Sequence, residues 1–259
     1  MFFLLDLNKN NNFFLSSLKV FLTQLIFICS LFSADYLLPA SKKDELVINH
    51  LAISLLYNEK HEQANWVAYE LESNKLNGNF KRKNQFRIDP KVLTISASPT
   101  DYKKSGYDRG HLAPAADMKW SRVAMEESFF MSNISPQTPG FNRGIWKKLE
   151  SVVRRWANDY EKIYIVTGPV LTKEYLTIGA NNVSVPDFFF KVIFDNQGLE
   201  KKAIGFVLPN EKSRKNLKDF SMNIDSVESI TGIDFFHLLE DSFEDSLERS
   251  LDLSQWGLE

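Results

Sequence analysis

A single cysteine among 259 residues, Cys29, removes two of the ways a chain of this size can be held together. No internal disulfide can form. With neither a CxxC pair nor a Cys/His cluster, no structural zinc site can be assembled either. The fold must therefore rest on a buried apolar core. The sequence has the material for one, since 44% of the residues are hydrophobic and 25% charged, the balance of an ordinary globular protein. The length suits one large domain or two small ones. With 31 Lys and Arg against 33 Asp and Glu, the chain lacks the bulk basicity of a protein that coats nucleic acid. Any contact with phosphates has to come from a local patch or a metal.

The first 34 residues differ from all that follow. Their only charged groups are Asp6, Lys9 and Lys19, and an apolar run, Val20 to Phe32, precedes Ser33 and Ala34. The run is shorter than the roughly 20 residues of a membrane span and has the character of a secretory leader with a cleavage point near Ala34. The expected organisation is a signal peptide over 1–34 and a single domain over 35–259, in a secreted or periplasmic protein. The alternative is an uncleaved anchor that holds the domain outside the cytoplasm. Cleavage near Ala34 also removes Cys29, and a cysteine-free chain suits an oxidising compartment.

The remainder has no internal repeat and no long linker. Val47 to Tyr57 is apolar and ambiguous between helix and strand, and Asn58 to Gln63 reads as a turn. Trp66 to Leu71 is aromatic and β-branched, which favours a strand. Ile163 to Val166 reads as a buried strand stopped by Gly168-Pro169. Phe188–Phe194, the turn Asp195-Asn196-Gln197-Gly198 and Ala203–Leu208 read as a hairpin. One helix is expected over Ser121–Met131. A second starts near Asn142, with apolar Trp146, Leu149, Val153, Trp156 and Tyr160 at helical spacing. A third, near Ser226–Ile230, should stop at Gly232. Strands, then helices, then strands again predict an α+β fold rather than a doubly wound parallel sheet.

Of the four histidines, His50, His61 and His237 sit in surroundings that suit packing or surface polarity. His111 closes Asp108-Arg109-Gly110-His111, an acid, a base, a glycine and an imidazole within four residues. Gly110 allows close backbone approach, Arg109 offers planar donors for phosphate, and His111 can accept a proton near neutral pH. Further on, Asn142, Trp146, Glu150 and Arg154 recur every four residues. On a regular helix Asn142 and Glu150 lie about 80° apart and two turns along, so both can address one site. The pair Glu150 and Arg154 also has the spacing of a helix salt bridge. A neutral asparagine oxygen is a hard ligand suited to Mg²⁺.

Asp108-Arg109-Gly110-His111, followed by Asn133-Ile134-Ser135-Pro136-Gln137, Asn142, Trp146, Leu149 and Glu150, resembles the DNA/RNA non-specific endonuclease family in order and spacing. Trp66–Tyr69, Thr167-Gly168-Pro169, Val185-Pro186 and Phe189–Val192 extend the likeness over roughly residues 64–232. The resemblance implies a ββα-metal (His-Me finger) core on a mainly antiparallel sheet with flanking helices. It implies cleavage of DNA and RNA to 5′-phosphate ends with Mg²⁺, for which Mn²⁺ substitutes. By similarity His111 is the general base, Asn142 the direct metal ligand, and Glu150 holds a metal water. Arg154 helps stabilise the transition state, Asn133 lies near the scissile phosphate, and Asp108 orients the loop or metal shell. Arg109 belongs to the same motif. A further family arginine precedes an aromatic and an Asp-Pro pair, here Phe86 and Asp89-Pro90; Arg82 is its candidate, among Lys81, Lys83 and Arg87. Some relatives carry an asparagine where this chain has Phe129. A homodimer and a protein inhibitor are further expectations of the resemblance.

Overall fold

The computed structural model describes residues 37–42, 45–94, 96–198 and 200–258. The leader or anchor expected over 1–34 lies outside the described residues. Strands β1 (Val47–Asn49), β2 (Ser54–Asn58) and β3 (Gln63–Glu72) come first. Strand β4 (Asp108–His111) and the short helix α1 (Arg122–Glu127) follow. Strand β5 (Ile134–Gln137) leads through a π-helical turn (Phe141–Trp146) into helix α2 (Lys147–Asp159). Next are β6 (Lys162–Pro169), β7 (Thr177–Ile178), β8 (Val183–Ser184), β9 (Phe188–Asp195) and β10 (Lys202–Pro209). The chain closes with β11 (Ser221–Met222) and helices α3 (Ile224–Thr231) and α4 (Asp241–Arg249).

One sheet runs β1-β2-β3-β6-β9-β10-β11, with every neighbouring pair antiparallel. This is the α+β architecture the sequence predicts. Both faces are buried, so the strands carry apolar residues at odd and even positions alike. On β3, Val67, Tyr69 and Leu71 face the cluster that takes in Leu149, Val153 and Trp156 of α2. Trp66 and Ala68 face the opposite cluster, with Ile224 and Val227 of α3 and Leu247 of α4. On β9, Phe189 and Ile193 belong to the α2 side, and Phe190, Val192 and Phe194 to the other. The same alternation puts Lys191 on the α2 side. A buried side chain of Phe or Leu size contributes about 1.5–3 kcal/mol, so these two layers supply the cohesion that disulfides cannot.

Several expectations change at their edges. Val47–Tyr57 splits into β1 and β2. Strand β6 does not stop before Gly168-Pro169 but runs through it, with Gly168 opposite Phe190 and Pro169 opposite Phe189. A Cβ on Gly168 would lie 2.3 Å from the Asn65 carbonyl, so glycine is there for close packing. The helix expected over Ser121–Met131 ends at Glu127, because the chain beyond it pairs with a distant segment: Arg87 N–H donates to the Phe129 carbonyl, and Met131 N–H to that of Arg87. The hairpin β9–β10 matches its prediction. Helix α3 ends at Gly232, which adopts the left-handed conformation (φ 71°).

Candidate active site

Strands β4 and β5 form their own antiparallel pair, with Asp108 opposite Gln137, Gly110 opposite Ser135 and His111 opposite Ile134. This hairpin, the π-helical turn and α2 make a ββα unit. Gly110 is required by crowding, since a Cβ there would come within 2.2 Å of the Gln137 side chain. Ser135 Oγ donates to Gln63 Oε1 at 2.5 Å, which bonds the hairpin to β3 of the main sheet.

Asn133 fixes the turn after His111. Its Oδ1 accepts from Ala113 N–H, and its Nδ2 donates to the carbonyls of Ala113 and Ser128, each at 2.9 Å. It is fully buried. Its amide is bonded to backbone on both sides, so Asn133 holds the loop that follows His111, and its nearness to the phosphate, expected from the resemblance, would act through that loop.

His111 itself is 7% exposed. Phe129 packs edge-on against its ring at 4.9 Å, and Phe86 lies 5.5 Å away. Its Nε2 is buried and has no hydrogen-bond partner. Desolvation, reinforced by the Arg82 charge, lowers its pKa to about 3. The imidazole is thus neutral at physiological pH, with an uncommitted ring nitrogen.

Asn142 and Glu150 flank the entry to α2. The Phe141 and Asn142 N–H groups both bond the Thr138 carbonyl, and Thr138 N–H donates to Asn210 Oδ1. Gly144 has non-helical angles (φ −108°, ψ −110°). The regular helix expected from Asn142 therefore starts only at Lys147, and the 80° relation between Asn142 and Glu150 does not apply. Asn142 Nδ2 donates to Asp108 Oδ2 at 2.9 Å, and Arg143 grips both oxygens of the same carboxylate. That use of the amide nitrogen leaves Asn142 Oδ1 as a neutral hard donor. Glu150 adds a carboxylate in the first turn of α2. Such a donor set fits Mg²⁺, which binds through few protein oxygens and keeps its waters.

Behind Glu150 is a buried charged network. Asp117 accepts from Tyr69 Oη at 3.0 Å and from Arg154 Nη1 at 2.9 Å. Arg154 thus makes its ion pair with Asp117, not with Glu150 four residues before it. Desolvation raises the carboxyls of both Glu150 and Asp117. Lys191 is wholly buried, with its Nζ 4.8 Å above the Trp146 ring and no hydrogen-bond partner. Desolvation lowers its pKa, while Glu150 and Asp117 pull it back up. Asp117 and Lys191 are buried charged neighbours of Glu150 that did not stand out in the sequence as site residues. For Lys191 the signal was present, as a lone cation inside the apolar run Phe188–Phe194.

Basic groups surround this centre. The Arg82 charge acts on both His111 and Glu150, which distinguishes it from its basic neighbours. Lys81, Lys83 and Arg87 instead line a small cleft with Arg122 beside Phe129. Arg109 is exposed and stacks on Phe86 at 4.4 Å. His50 bonds Asp89 at 2.8 Å and His61 bonds Ser184 at 2.9 Å.

The sequence profile of the DNA/RNA non-specific endonucleases matches residues 36–242. The chain belongs to that family. Endonuclease G, mitochondrial, of Homo sapiens is 35% identical over 196 residues, covering 70% of this chain and 66% of that protein. Nuclease EXOG, mitochondrial, of Danio rerio is 35% identical over 209 residues, covering 74% of this chain and 60% of its own length. Nuclease C1 of Cunninghamella echinulata var. echinulata is 35% identical over 219 residues, covering 78% and 86%. The chain thus spans under two thirds of the two mitochondrial relatives. The crystal structure of an EndoG/EndoGI complex, described as showing the mechanism of EndoG inhibition, superposes with a TM-score of 0.72 at 31% identity. It covers 80% of this chain and 90% of that one. The ββα-metal core expected of the family is the hairpin and helix described above.

Proposed function

We propose that this protein is a divalent-metal-dependent endonuclease that hydrolyses phosphodiester bonds of DNA and RNA with little regard for sugar or sequence. The observation that carries the reading is the buried, neutral, unpartnered Nε2 of His111, set in the same hairpin-and-helix unit as Asn142. An imidazole with a free ring nitrogen can take a proton from water, and a bound phosphate anion would raise its pKa toward the working pH. His111 takes a proton from water, the oxygen attacks phosphorus, and the P–O3′ bond breaks to leave a 5′-phosphate and a 3′-hydroxyl. Asn142 Oδ1 and, through water, Glu150 would hold Mg²⁺, with Mn²⁺ able to replace it. A hydrated cation there supplies charge neutralisation for the phosphate and a proton for the departing oxygen. Arg154, Arg109 and Arg82 bind and steady the phosphate, and Asp108 keeps Asn142 and Arg143 in place. Contacts limited to phosphate and sugar carry no sequence information, which fits cleavage with little sequence preference.

The test is digestion of plasmid DNA and of RNA with Mg²⁺, Mn²⁺ or EDTA. Both polymers should be cut internally with either ion and neither in EDTA, and Asn142→Ala should need far more metal. Cleavage that is indifferent to EDTA sinks the proposal. The reading extends to a homodimer, checked by light scattering, and to inhibition by a protein partner, supported by the inhibited EndoG complex. It also extends to export of a single domain over 35–259 after removal of residues 1–34, checked by N-terminal sequencing of the extracellular or periplasmic fraction.

A further inference from the structure

We propose that helices α3 and α4 hold a second divalent-cation site, suited to Ca²⁺, built from Asp225, Glu228 and Glu248. One carboxylate oxygen from each residue lies within 4.8 Å of the other two. That is close enough for one cation to bridge all three, and Ca²⁺ fills its flexible shell from several carboxylates at once, whereas Mg²⁺ is usually held by only one or two. The three donors are all hard oxygens, as Ca²⁺ requires.

Glu248 is what separates this cluster from an ordinary acidic surface. The residue is 7% exposed, and its Oε1 is buried with no hydrogen-bond partner. A carboxylate withdrawn from water needs a compensating charge or a proton. Burial pushes its carboxyl upward, and the acidic neighbours Glu228, Glu244, Asp225 and Asp234 add to that push. A cation is the compensation this arrangement calls for. The frame is already braced. Glu228 Oε1 accepts from Phe235 N–H at 2.7 Å, and Asn223 Nδ2 donates to the Arg249 carbonyl at 3.2 Å, which ties the start of α3 to the end of α4.

The site is separate from the nuclease centre. Helices α3 and α4 pack on the face of the sheet opposite α2, and Glu248 lies beyond the residues that match the family profile. The inference does not rest on the proposed activity.

It is tested by scanning calorimetry of Asn142→Ala, which lacks the ligand at the nuclease centre. Binding with a dissociation constant near 10⁻⁴ M should raise Tm by about 5 °C at roughly 10 mM Ca²⁺ relative to EDTA. Adding Glu248→Gln or Asp225→Asn to that protein should abolish the rise. In EDTA the Glu248→Gln protein should be at least as stable as its parent, because a repelling carboxyl has gone. No rise in the parent, or an undiminished rise in the Glu248→Gln protein, overturns the proposal. So does a loss of stability on Glu248→Gln in EDTA, which would make the carboxyl an ordinary structural acceptor.

Discussion

At the scale of single residues, burial sets the charge of the groups at the site. His111 is held neutral by desolvation and by the nearby Arg82 charge. Its folded-state pKa lies below the unfolded value, so its contribution to stability is complete above about pH 6.5 and lost as pH falls toward 3. Between pH 7 and 5 this single group should cost about 2 kcal/mol of unfolding free energy. Urea denaturation of wild type and His111→Gln at both values should show that difference missing from the variant. The same depression removes His111 from the acid limb of the rate profile, which then falls to Glu150, whose carboxyl is raised. Lys191 restrains that rise, so Lys191→Met should move the acid limb of kcat/KM upward by about one pH unit. A limb that stays in place in Lys191→Met would show that the lysine is structural only. The tetrad around His111 was legible in the sequence because it concentrates charged groups in four residues. The depth of Asn133 was not, because an amide that bonds backbone and one that bonds phosphate look alike in a string of letters.

At the scale of elements, the hairpin, the π-helical turn and α2 act as one unit through Asp108. Its carboxylate accepts from Asn142 and pairs with Arg143 at 2.6 Å. Groups that orient a metal ligand typically govern metal affinity or activity by 10–100-fold. Asp108→Ala should therefore weaken activation by Mg²⁺ by about that factor while leaving the circular dichroism spectrum unchanged. An unaltered Mg²⁺ dependence would mean that Asn142 needs no such support. Local signals predicted β3, the β9–β10 hairpin and the end of α3 at Gly232, because periodicity and turn residues act over a few positions. They failed where the outcome depends on distant partners. Helix α1 stops early because residues 129–131 pair with Arg87, and α2 begins late because Thr138 draws in two N–H groups. The strand β4 went unread as a strand because its partner, β5, is more than twenty residues away.

At the scale of the whole molecule, an antiparallel sheet buried on both faces separates two jobs. One face carries α2 and the proposed nuclease centre, and the other carries α3 and α4. With a net charge of −2, the proposed attraction to nucleic acid has to be local, and Lys81, Arg82, Lys83, Arg87 and Arg109 are its candidates. Charge removal at Lys81 and Lys83 should flatten the salt dependence of kcat/KM by about two units of slope, without a change of preferred sequence. An unchanged slope would place the substrate elsewhere. The most direct test of the central claim is cleavage of a defined DNA duplex by wild type and by His111→Ala under saturating Mg²⁺, alongside their thermal unfolding. Turnover should fall by about 10³-fold or more in a variant that still unfolds cooperatively. A folded His111→Ala protein that cuts at the wild-type rate would contradict that claim.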